Sequence, residues 1–325
     1  MSTHRVEVVL VRKEPHPDAD TLAVVRVFGF TVCVRADDWT DGELAAYVPP
    51  DSLVDSTRLT FAFLAGGPQW VRIKVRRMRG IYSQGLLVKA PPGAVVGDDV
   101  MAALDVRHYE PPLQVSTMGT NISPPNGRYP GYDVESWFRY RSVLQPGERV
   151  VLTEKIHGAS ARYVFRDGQL HAGSRADWKQ ADDHNLWWQV LRTEPALEAF
   201  CRAHPELGVY CEVYGQVQDL RYGAGKGFPG LRLAAFDLYR DGRWVDAEEA
   251  IAIATAGGLP WVPVIDIIPY DEATVLRHAD GPSLVAGADH LREGLVIRPA
   301  AERFDPEVGR VILKVVSNRY LERGK

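Results

Sequence analysis

Short alternating runs of hydrophobic and polar residues dominate the first third of the chain. Between residues 5 and about 105 they read VEVVLVRK, LAVVRVFGFTVCVRA, WVRIKVRRM and GLLVKA, and turn residues separate them. Alternation with a period of two is typical of β-strands that bury one face. Several short strands in succession indicate a folded-over sheet, so the pattern predicts a small antiparallel barrel or sandwich over residues 1–105.

One of these runs carries a basic face. In VRIKVRR the hydrophobic residues are expected on one side of a strand and the basic residues on the other. Basic residues can simply protect an exposed strand from pairing, or they can contact the phosphates of nucleic acid, and the pattern leaves both interpretations open. The candidate nucleic-acid contacts are Arg72, Lys74, Arg76, Arg77 and Arg79.

The remainder of the chain has a different pattern. Residues 106–131 are rich in proline and poor in hydrophobic runs, which predicts a linker, and residues 132–325 mix strand-like with helix-like segments. The Asp167-Gly168 pair predicts a hairpin turn, and residues 184–205 predict a helix broken at Pro195. A second helix is expected near residues 246–256. Together with the length of 325 residues, this predicts a second domain of the α+β class with antiparallel sheets.

Composition narrows the class of protein. With 46% hydrophobic and 25% charged residues, the chain is typical of globular proteins. No hydrophobic run approaches the roughly 20 residues that span a bilayer, and the N-terminus lacks a signal peptide, so we expect a cytoplasmic protein without a membrane or obligate protein partner. Cys33, Cys201 and Cys211 form no CxxC pair, which argues against a disulfide framework or a zinc site. The net charge of -4 excludes a uniformly basic surface but not a local basic patch.

The candidate reactive residue is Lys155 in TEKIHGASARYV, which Gly158 follows three positions later. A lysine amine is protonated at neutral pH and becomes a nucleophile only where burial or nearby positive charge lowers its pKa. The later sequence YGAGKGFPG is not a P-loop, because Gly227 follows Lys226 and Leu220 stands where the first glycine belongs. A glycine-rich loop that carries Lys226 beside the site is still expected.

Five further elements follow Lys155 in one order along the chain: Ser174-Arg175, Glu212, Phe236, Glu293 and Lys314. With EKIHG they resemble motifs I, Ia, III, IIIa, IV and V of the covalent nucleotidyltransferase superfamily, which comprises DNA ligases, RNA ligases and mRNA capping enzymes. The resemblance spans about residues 130–320. The histidine of EKIHG, at position 157, makes the chain most similar to RNA ligases of the T4 RNA ligase 2 type, although this histidine could equally be a packed residue.

The N-terminal region adds to this resemblance. HPDADTLAVVRV is similar to the opening of OB-type tRNA-binding domains, and an OB-type barrel before an RNA-ligase-like domain resembles the Deinococcus type of RNA ligase. The resemblance implies an N-terminal all-β OB-type barrel at 1–105, a linker at 106–131, and an α+β, ATP-grasp-like nucleotidyltransferase domain of antiparallel sheets and helices at 132–325.

The resemblance also implies roles for individual residues. Lys155 would attack the α-phosphate of ATP, while Lys314 and Arg175 would stabilise the charge on the phosphate. Because a carboxylate beside phosphates normally needs a hard cation between them, Glu293 is the expected ligand of Mg²⁺ or Mn²⁺. Glu212 would accept a ribose hydroxyl. The other expected nucleotide contacts are Phe236 stacked on adenine, Glu154 at the adenine edge, Ile156, and Gly158, whose missing Cβ would let the nucleotide approach.

The implied reaction is ATP-dependent sealing of nicks between a 3′-OH and a 5′-phosphate through lysyl-AMP and a 5′-adenylylated strand. Its implied partner is a nicked duplex with RNA on the 3′-OH side, and RNA repair is the expected role. Two alternatives stay open, a GTP-dependent capping-type nucleotidyltransferase and a non-catalytic OB-containing RNA-binding protein.

Three features depart from the family pattern. Motif V commonly has two alternating lysines, whereas here Lys314 stands alone and Val316 or Ile312 fills the second position. Motif I has Ser160 where the phage type has asparagine, and a hydroxyl reaches less far. Only 11 residues follow Lys314, too few for the OB domain that DNA ligases and capping enzymes place after motif V, so the N-terminal barrel is expected to replace it.

Overall fold

The computed structural model describes residues 4–109, 119–218, 220, 222–223 and 230–323, and Lys226 of the glycine-rich sequence lies outside them. Contacts divide the described residues into two compact units. The first comprises residues 4–109, 136–139 and 318–323, and the second lies within residues 119–135 and 140–317. The domain boundaries drawn from the sequence stay a prediction.

The first unit consists mainly of short antiparallel strands. Three-stranded sheets have the orders β1-β5-β10, β2-β3-β4 and β11-β6-β7, and β8 pairs with β9. The central strand β5 buries both faces, with Ala46 and Val48 in one hydrophobic cluster and Ala45 and Tyr47 in the other. The strands are β1 (Glu7–Leu10), β2 (Lys13–Pro15), β3 (Leu22–Val27), β4 (Phe30–Arg35), β5 (Leu44–Val48), β6 (Ser52–Asp55), β7 (Trp70–Arg72), β8 (Arg76–Met78), β9 (Ile81–Ser83), β10 (Leu86–Lys89) and β11 (Arg107–His108).

The second unit is built on a seven-stranded sheet of order β12-β17-β16-β15-β18-β19-β20 and a five-stranded sheet of order β13-β25-β22-β14-β21. The main hydrophobic core lies between the larger sheet and helices α2, α3 and α4. The strands are β12 (Asn121–Ile122), β13 (Glu135–Ser136, at the unit boundary), β14 (Arg149–Lys155), β15 (Ala159–Arg166), β16 (Gln169–Ser174), β17 (Trp178–Lys179), β18 (Leu207–Gly215), β19 (Leu231–Arg240), β20 (Arg243–Trp244), β21 (Val264–Pro269), β22 (Gly294–Pro299), β23 (Phe304–Asp305), β24 (Gly309–Arg310) and β25 (Leu313–Val316).

Helices are few and short. None of those among the described residues has the length and apolar content needed to cross a membrane. They are α1 (Trp137–Tyr140), α2 (Leu186–Gln189), α3 (Pro195–Ala203), α4 (Ala247–Ala256), α5 (Glu272–Ala279) and α6 (Asn318–Arg323), with 3-10 turns at Ala36–Asp38, Leu59–Leu64, Arg141–Val143 and Val190–Arg192. The predicted α+β class with antiparallel sheets is confirmed.

Local signals account for several elements. Asp167 and Gly168 adopt φ values of 53° and 77° and join β15 to β16, because both central residues of such a tight turn need a positive φ. Pro195 begins α3 at a position where its missing N–H costs no helical hydrogen bond. The helix expected near 246–256 is α4.

The basic run VRIKVRR, which was expected to form one strand, is divided between β7 and β8. Residues 73–75 separate β7 from β8, and Ile73 and Val75 are buried while the chain leaves one sheet for the next. His16 of the HPDAD sequence contacts the end of β8: its Nδ1 accepts from the Asp18 N–H, so its Nε2 donates to the Met78 carbonyl at 3.2 Å. The predicted strand is thus a strand followed by a separate hairpin.

Candidate functional site

Lys155 ends β14, which lies between β21 and β22 in the five-stranded sheet. Its half-buried Nζ donates to Oε1 of Glu293 at 2.8 Å. The other oxygen of Glu293 lies 3.2 Å from Nδ1 of His157. Burial alone would raise the pKa of Glu293, but the charges and hydrogen bonds of Lys155 and His157 lower it to about 2. The Glu293 carboxylate therefore holds both side chains of motif I in one place.

Neighbouring charges of both signs act on the amine of Lys155. A carboxylate at 2.8 Å favours the protonated form of Lys155, which is not nucleophilic. Lys314 acts on the amine in the opposite sense, because the two positive charges are close enough for Lys155 to lower the pKa of Lys314.

Glu212 supplies a second carboxylate from β18. It pairs in register with Ser160, and its side chain accepts a hydrogen bond from the Gly158 N–H. Burial raises the pKa of Glu212 to about 7, against an opposing effect from the charge of Lys155. Near neutral pH this carboxyl therefore exists in both protonation states.

The carboxylates of Glu293 and Glu212 match part of the ligand set that Mg²⁺ or Mn²⁺ needs. Among the described residues, no group of three or more His, Cys, Asp or Glu side chains is arranged to hold a metal ion. Mg²⁺ commonly binds one or two protein carboxylates and completes its shell with water and phosphate oxygens, so it does not need such a cage. Glu293 next to Lys155, with Glu212 nearby, is compatible with that kind of site.

Lys314 of β25 shares a sheet face with Lys155. In register, Lys155 lies opposite Gly294, which lies opposite Val316, and the next row on the same face ends in Lys314. Burial and the positive charge of Lys155 lower the pKa of Lys314 to about 8. Val316, one of the two candidates for the position of the missing second lysine, thus lies directly in line with Lys155 across the sheet. Gly294 is required between them, because a Cβ there would meet the carbonyl oxygen of Val315.

Ile156 and Phe236 meet in one hydrophobic cluster with Val262 and Val285. Ile156 is 4% exposed, and Phe236 is partly buried. The ring centroid of Phe236 lies 4.7 Å from that of Tyr132, which therefore covers part of it. The two predicted base contacts are brought together.

The carboxylate of Glu154 is held by contacts within the protein, and its place at the adenine edge stays a prediction. It is 1% exposed and accepts hydrogen bonds from Ser283 Oγ and from the Leu284 N–H, both at 2.6 Å. Burial nevertheless raises the pKa of Glu154. Its side chain therefore anchors the segment that leads into Val285, a member of the cluster that contains Ile156 and Phe236.

Gly158 is required for packing within the protein itself. A Cβ at this position would meet the carbonyl oxygen of Val213 on β18. The close approach of a nucleotide at Gly158 stays a prediction. Arg175 lies in the turn after β16, is exposed, and has Asp133 at 3.8 Å, while its charge contributes to the lowered pKa of Lys314.

The sequence reasoning missed two side chains that hold the motif I turn. Tyr222 accepts a hydrogen bond from the His157 N–H at 2.7 Å, and Gln218 donates to the Gly158 carbonyl at 2.6 Å. Neither residue carries a pattern in the sequence beyond proximity to a glycine-rich stretch.

The predicted nucleic-acid contacts of the first unit differ in their exposure and pairing. Arg72 pairs with Asp51 at 2.7 Å and covers the Tyr109 ring at 4.0 Å, and Lys74 is half-buried. The exposed members lie on the hairpin formed by β8 and β9, with Arg79 in its turn at a φ of 45°. They are Arg76, Arg77 and Arg79.

Comparison with known proteins places these features in a family. The family model described as RNA ligase matches residues 148–316, and an OB-fold domain model matches residues 5–90. No curated protein sequence matches the chain.

Among solved structures, variants of the Naegleria gruberi RNA ligase are similar over almost their whole length. One, with ATP and Mn, has a TM-score of 0.81 at 21% identity and covers 99% of each chain. Another, with AMP and Mn, has a TM-score of 0.80 at 21% identity and covers 98% of each chain. This likeness shows a shared fold, and the predicted OB-type N-terminal region is confirmed by its family model. The RNA ligase model matches more than half of the residues of this chain, and the chain therefore belongs to the RNA ligase family.

Proposed function

We propose that this protein is an ATP-dependent polynucleotide ligase that works through a lysyl-AMP at Lys155. The observation that carries the proposal is the Lys155 amine, held 2.8 Å from Glu293 on the sheet face that also carries Lys314. A family of ligases requires a nucleic-acid substrate, and the Naegleria gruberi relative was solved with ATP and Mn, which supports ATP and Mg²⁺ or Mn²⁺ as cofactors here.

The reaction has three transfers. The neutral amine of Lys155 attacks the α-phosphorus of ATP, a P–N bond forms, and pyrophosphate leaves. The 5′-phosphate of the broken strand then displaces the lysine and takes up AMP. Finally the 3′-hydroxyl attacks the activated 5′-phosphate, AMP leaves, and the strand is closed.

The residues of the site have separate roles in this proposal. Ile156 and Phe236 bind the adenine ring, and Glu212 accepts a ribose hydroxyl. Lys314 and Arg175 lie where negative charge develops on the phosphate. A divalent cation bound at Glu293 would screen the phosphate charge, and Glu293 would then no longer favour the protonated amine.

The substrate we propose is a nicked duplex with ribose on the 3′-OH side, bound in part by the exposed arginines of the β8–β9 hairpin. Such a substrate fits an RNA-repair role in the cytoplasm. Four nicked duplexes that combine ribose and deoxyribose on each side of the nick test this. Equal sealing of all four would contradict the ribose requirement.

Covalent labelling tests the proposal as a whole. Protein incubated with α-labelled ATP and MnCl₂ should carry the label, and unlabelled ATP should compete better than GTP. Lys155→Ala and Lys155→Arg should not label, the second because a guanidinium keeps its charge but is not a nucleophile at this pH. Lys89→Ala, which removes an exposed lysine of the first unit, should label as the wild type does. A labelled Lys155→Ala protein would refute the assignment.

A further inference from the structure

The turn that follows Lys155 crosses from one sheet to the other. Lys155 ends β14 in the five-stranded sheet, and β15 begins at Ala159 in the seven-stranded sheet. Two side chains bond the backbone of the intervening residues. Tyr222 Oη accepts from the His157 N–H at 2.7 Å, and Gln218 Nε2 donates to the Gly158 carbonyl at 2.6 Å. Side chains, and not a neighbouring strand, therefore fix these groups.

The turn also lies tightly on β18. The Gly158 N–H donates to the Glu212 carboxylate, and a Cβ on Gly158 would meet the carbonyl oxygen of Val213. Hydrogen bonds to the N–H groups of His157 and Gly158 and to the Gly158 carbonyl therefore restrain the backbone after the lysine.

Tyr222 has an unusual backbone conformation. Its φ of 42° lies in the left-handed region, which a bulky residue rarely adopts. The next residue, Gly223, has a φ of 80°, and a Cβ there would lie 2.6 Å from the Gly287 carbonyl oxygen. Backbone strain that the fold maintains tends to occur where a side chain must be placed for function.

The surroundings hold the ring of Tyr222 in place. The side chain is fully buried, and its ring makes edge contacts with Tyr214 at 5.3 Å and with His290 at 4.7 Å between centroids. Burial and the nearby Glu293 carboxylate raise the pKa of Tyr222 well above its usual range, so the hydroxyl stays uncharged. A neutral, immobile hydroxyl is a well-defined acceptor for one backbone N–H.

We propose that Tyr222, assisted by Gln218, is a positioning residue for the nucleophile. The inference rests on the proposed function of Lys155. His157 Nδ1 and Lys155 Nζ both bind Glu293, so fixing the backbone of His157 also fixes where the carboxylate holds the amine. In-line attack on a phosphorus atom requires the amine to be placed closely, and a small displacement lowers the rate without weakening nucleotide binding.

The test is Tyr222→Phe, which removes the hydroxyl and keeps the ring. The matched control is Tyr214→Phe, which removes a hydroxyl from the ring in contact with Tyr222. With wild-type labelling established, the single-turnover rate of lysyl-AMP formation at saturating ATP should fall about ten-fold in Tyr222→Phe, because a buried N–H loses its acceptor. The ATP concentration for half-maximal rate should stay within about two-fold, and Tyr214→Phe should behave as the wild type.

A second readout follows the turn itself. Amide hydrogen exchange of the peptide that spans residues 156–158 should be faster in Tyr222→Phe and in Gln218→Leu than in the wild type or the Tyr214→Phe control. A purely structural role predicts a lower melting temperature with an unchanged labelling rate in the folded protein, and that result would overturn the proposal. Wild-type labelling rates in both Tyr222→Phe and Gln218→Leu would also overturn it. If the wild type itself fails to label, the proposed function is the part that fails.

Discussion

Asp237 connects the two sheets of the second unit through a buried ionic network. It lies on β19 and is fully buried, and its carboxylate pairs with Arg298 of β22 and Arg310 of β24, both at 2.7 Å. Tyr132 donates its hydroxyl to the same carboxylate at 2.7 Å. The two arginines hold the pKa of Asp237 below its usual range despite burial, which alone would raise it.

Replacement of Asp237 by Ala removes the shared anion of this network. The side chains of Arg298 and Arg310 are only 5% and 10% exposed, so solvent cannot replace the lost partner, and Glu302 is left to pair with both. Removing one partner of a buried ion pair typically costs about 3–5 kcal/mol. Because the free energy of unfolding of whole domains is about 5–15 kcal/mol, Asp237→Ala should lose a large part of its stability.

Urea unfolding at pH 7 measures the loss, since an aspartate is ionised there in both states and its full contribution is present. Asp183→Ala is the matched control. Its pair with Arg192 has the same length of 2.7 Å, but the two side chains are 79% and 60% exposed. We expect a change within about 0.5 kcal/mol for the control. A loss below about 1 kcal/mol in Asp237→Ala would refute the reasoning, because it would mean that the arginines find other partners.

Three further predictions concern charge. Because the pKa of Lys314 is about 8, its charge is lost as the pH rises, so ATP affinity measured by labelling should weaken above pH 8 in the wild type and not in Lys314→Arg. Burial raises the pKa of Glu212 from 4.5 to about 7, so the folded state retains a proton that the unfolded chain releases. The free energy of unfolding should therefore fall as the pH rises from about 4.5 to 7, by on the order of 1–3 kcal/mol relative to Glu212→Gln, in urea titrations. Replacing Arg76, Arg77 and Arg79 together by Ala should reduce the slope of log affinity for nucleic acid against log salt by about two to three.

Much of the fold follows from local rules that act on neighbouring residues. The hydrophobic run in RVVLTEK becomes β14, which is buried on both faces. Asp167-Gly168 makes its turn because few residues accept two successive positive φ values. In the predicted helical stretch, Trp187 and Val190 are buried in the main core, while Trp188 and Leu191 pack against it. Helix α5 (Glu272–Ala279) has no counterpart among the elements predicted from the sequence.

Local rules fail where the chain leaves one sheet for another. The run from Trp70 to Met78 alternates as a single strand should, yet pairing with β6 ends at Arg72 and the hairpin with β9 begins at Arg76. The alternation records which side chains are buried, and it does not record which strand supplies the hydrogen bonds. For the same reason the basic residues, continuous in sequence, are split between a paired Arg72 and an exposed hairpin.

The sequence by itself determined the family, through the order of motifs around Lys155, and the α+β class. Only the tertiary structure decided what each site residue contacts. Glu293 meets Lys155 across 138 positions of sequence, and Tyr222 meets His157 across 65. Such contacts depend on strand register and on the direction of each side chain, which the fold as a whole sets. The structure thus gives Lys155 a carboxylate partner in Glu293 beside the predicted cation Lys314, whose charge acts on the amine in the opposite sense.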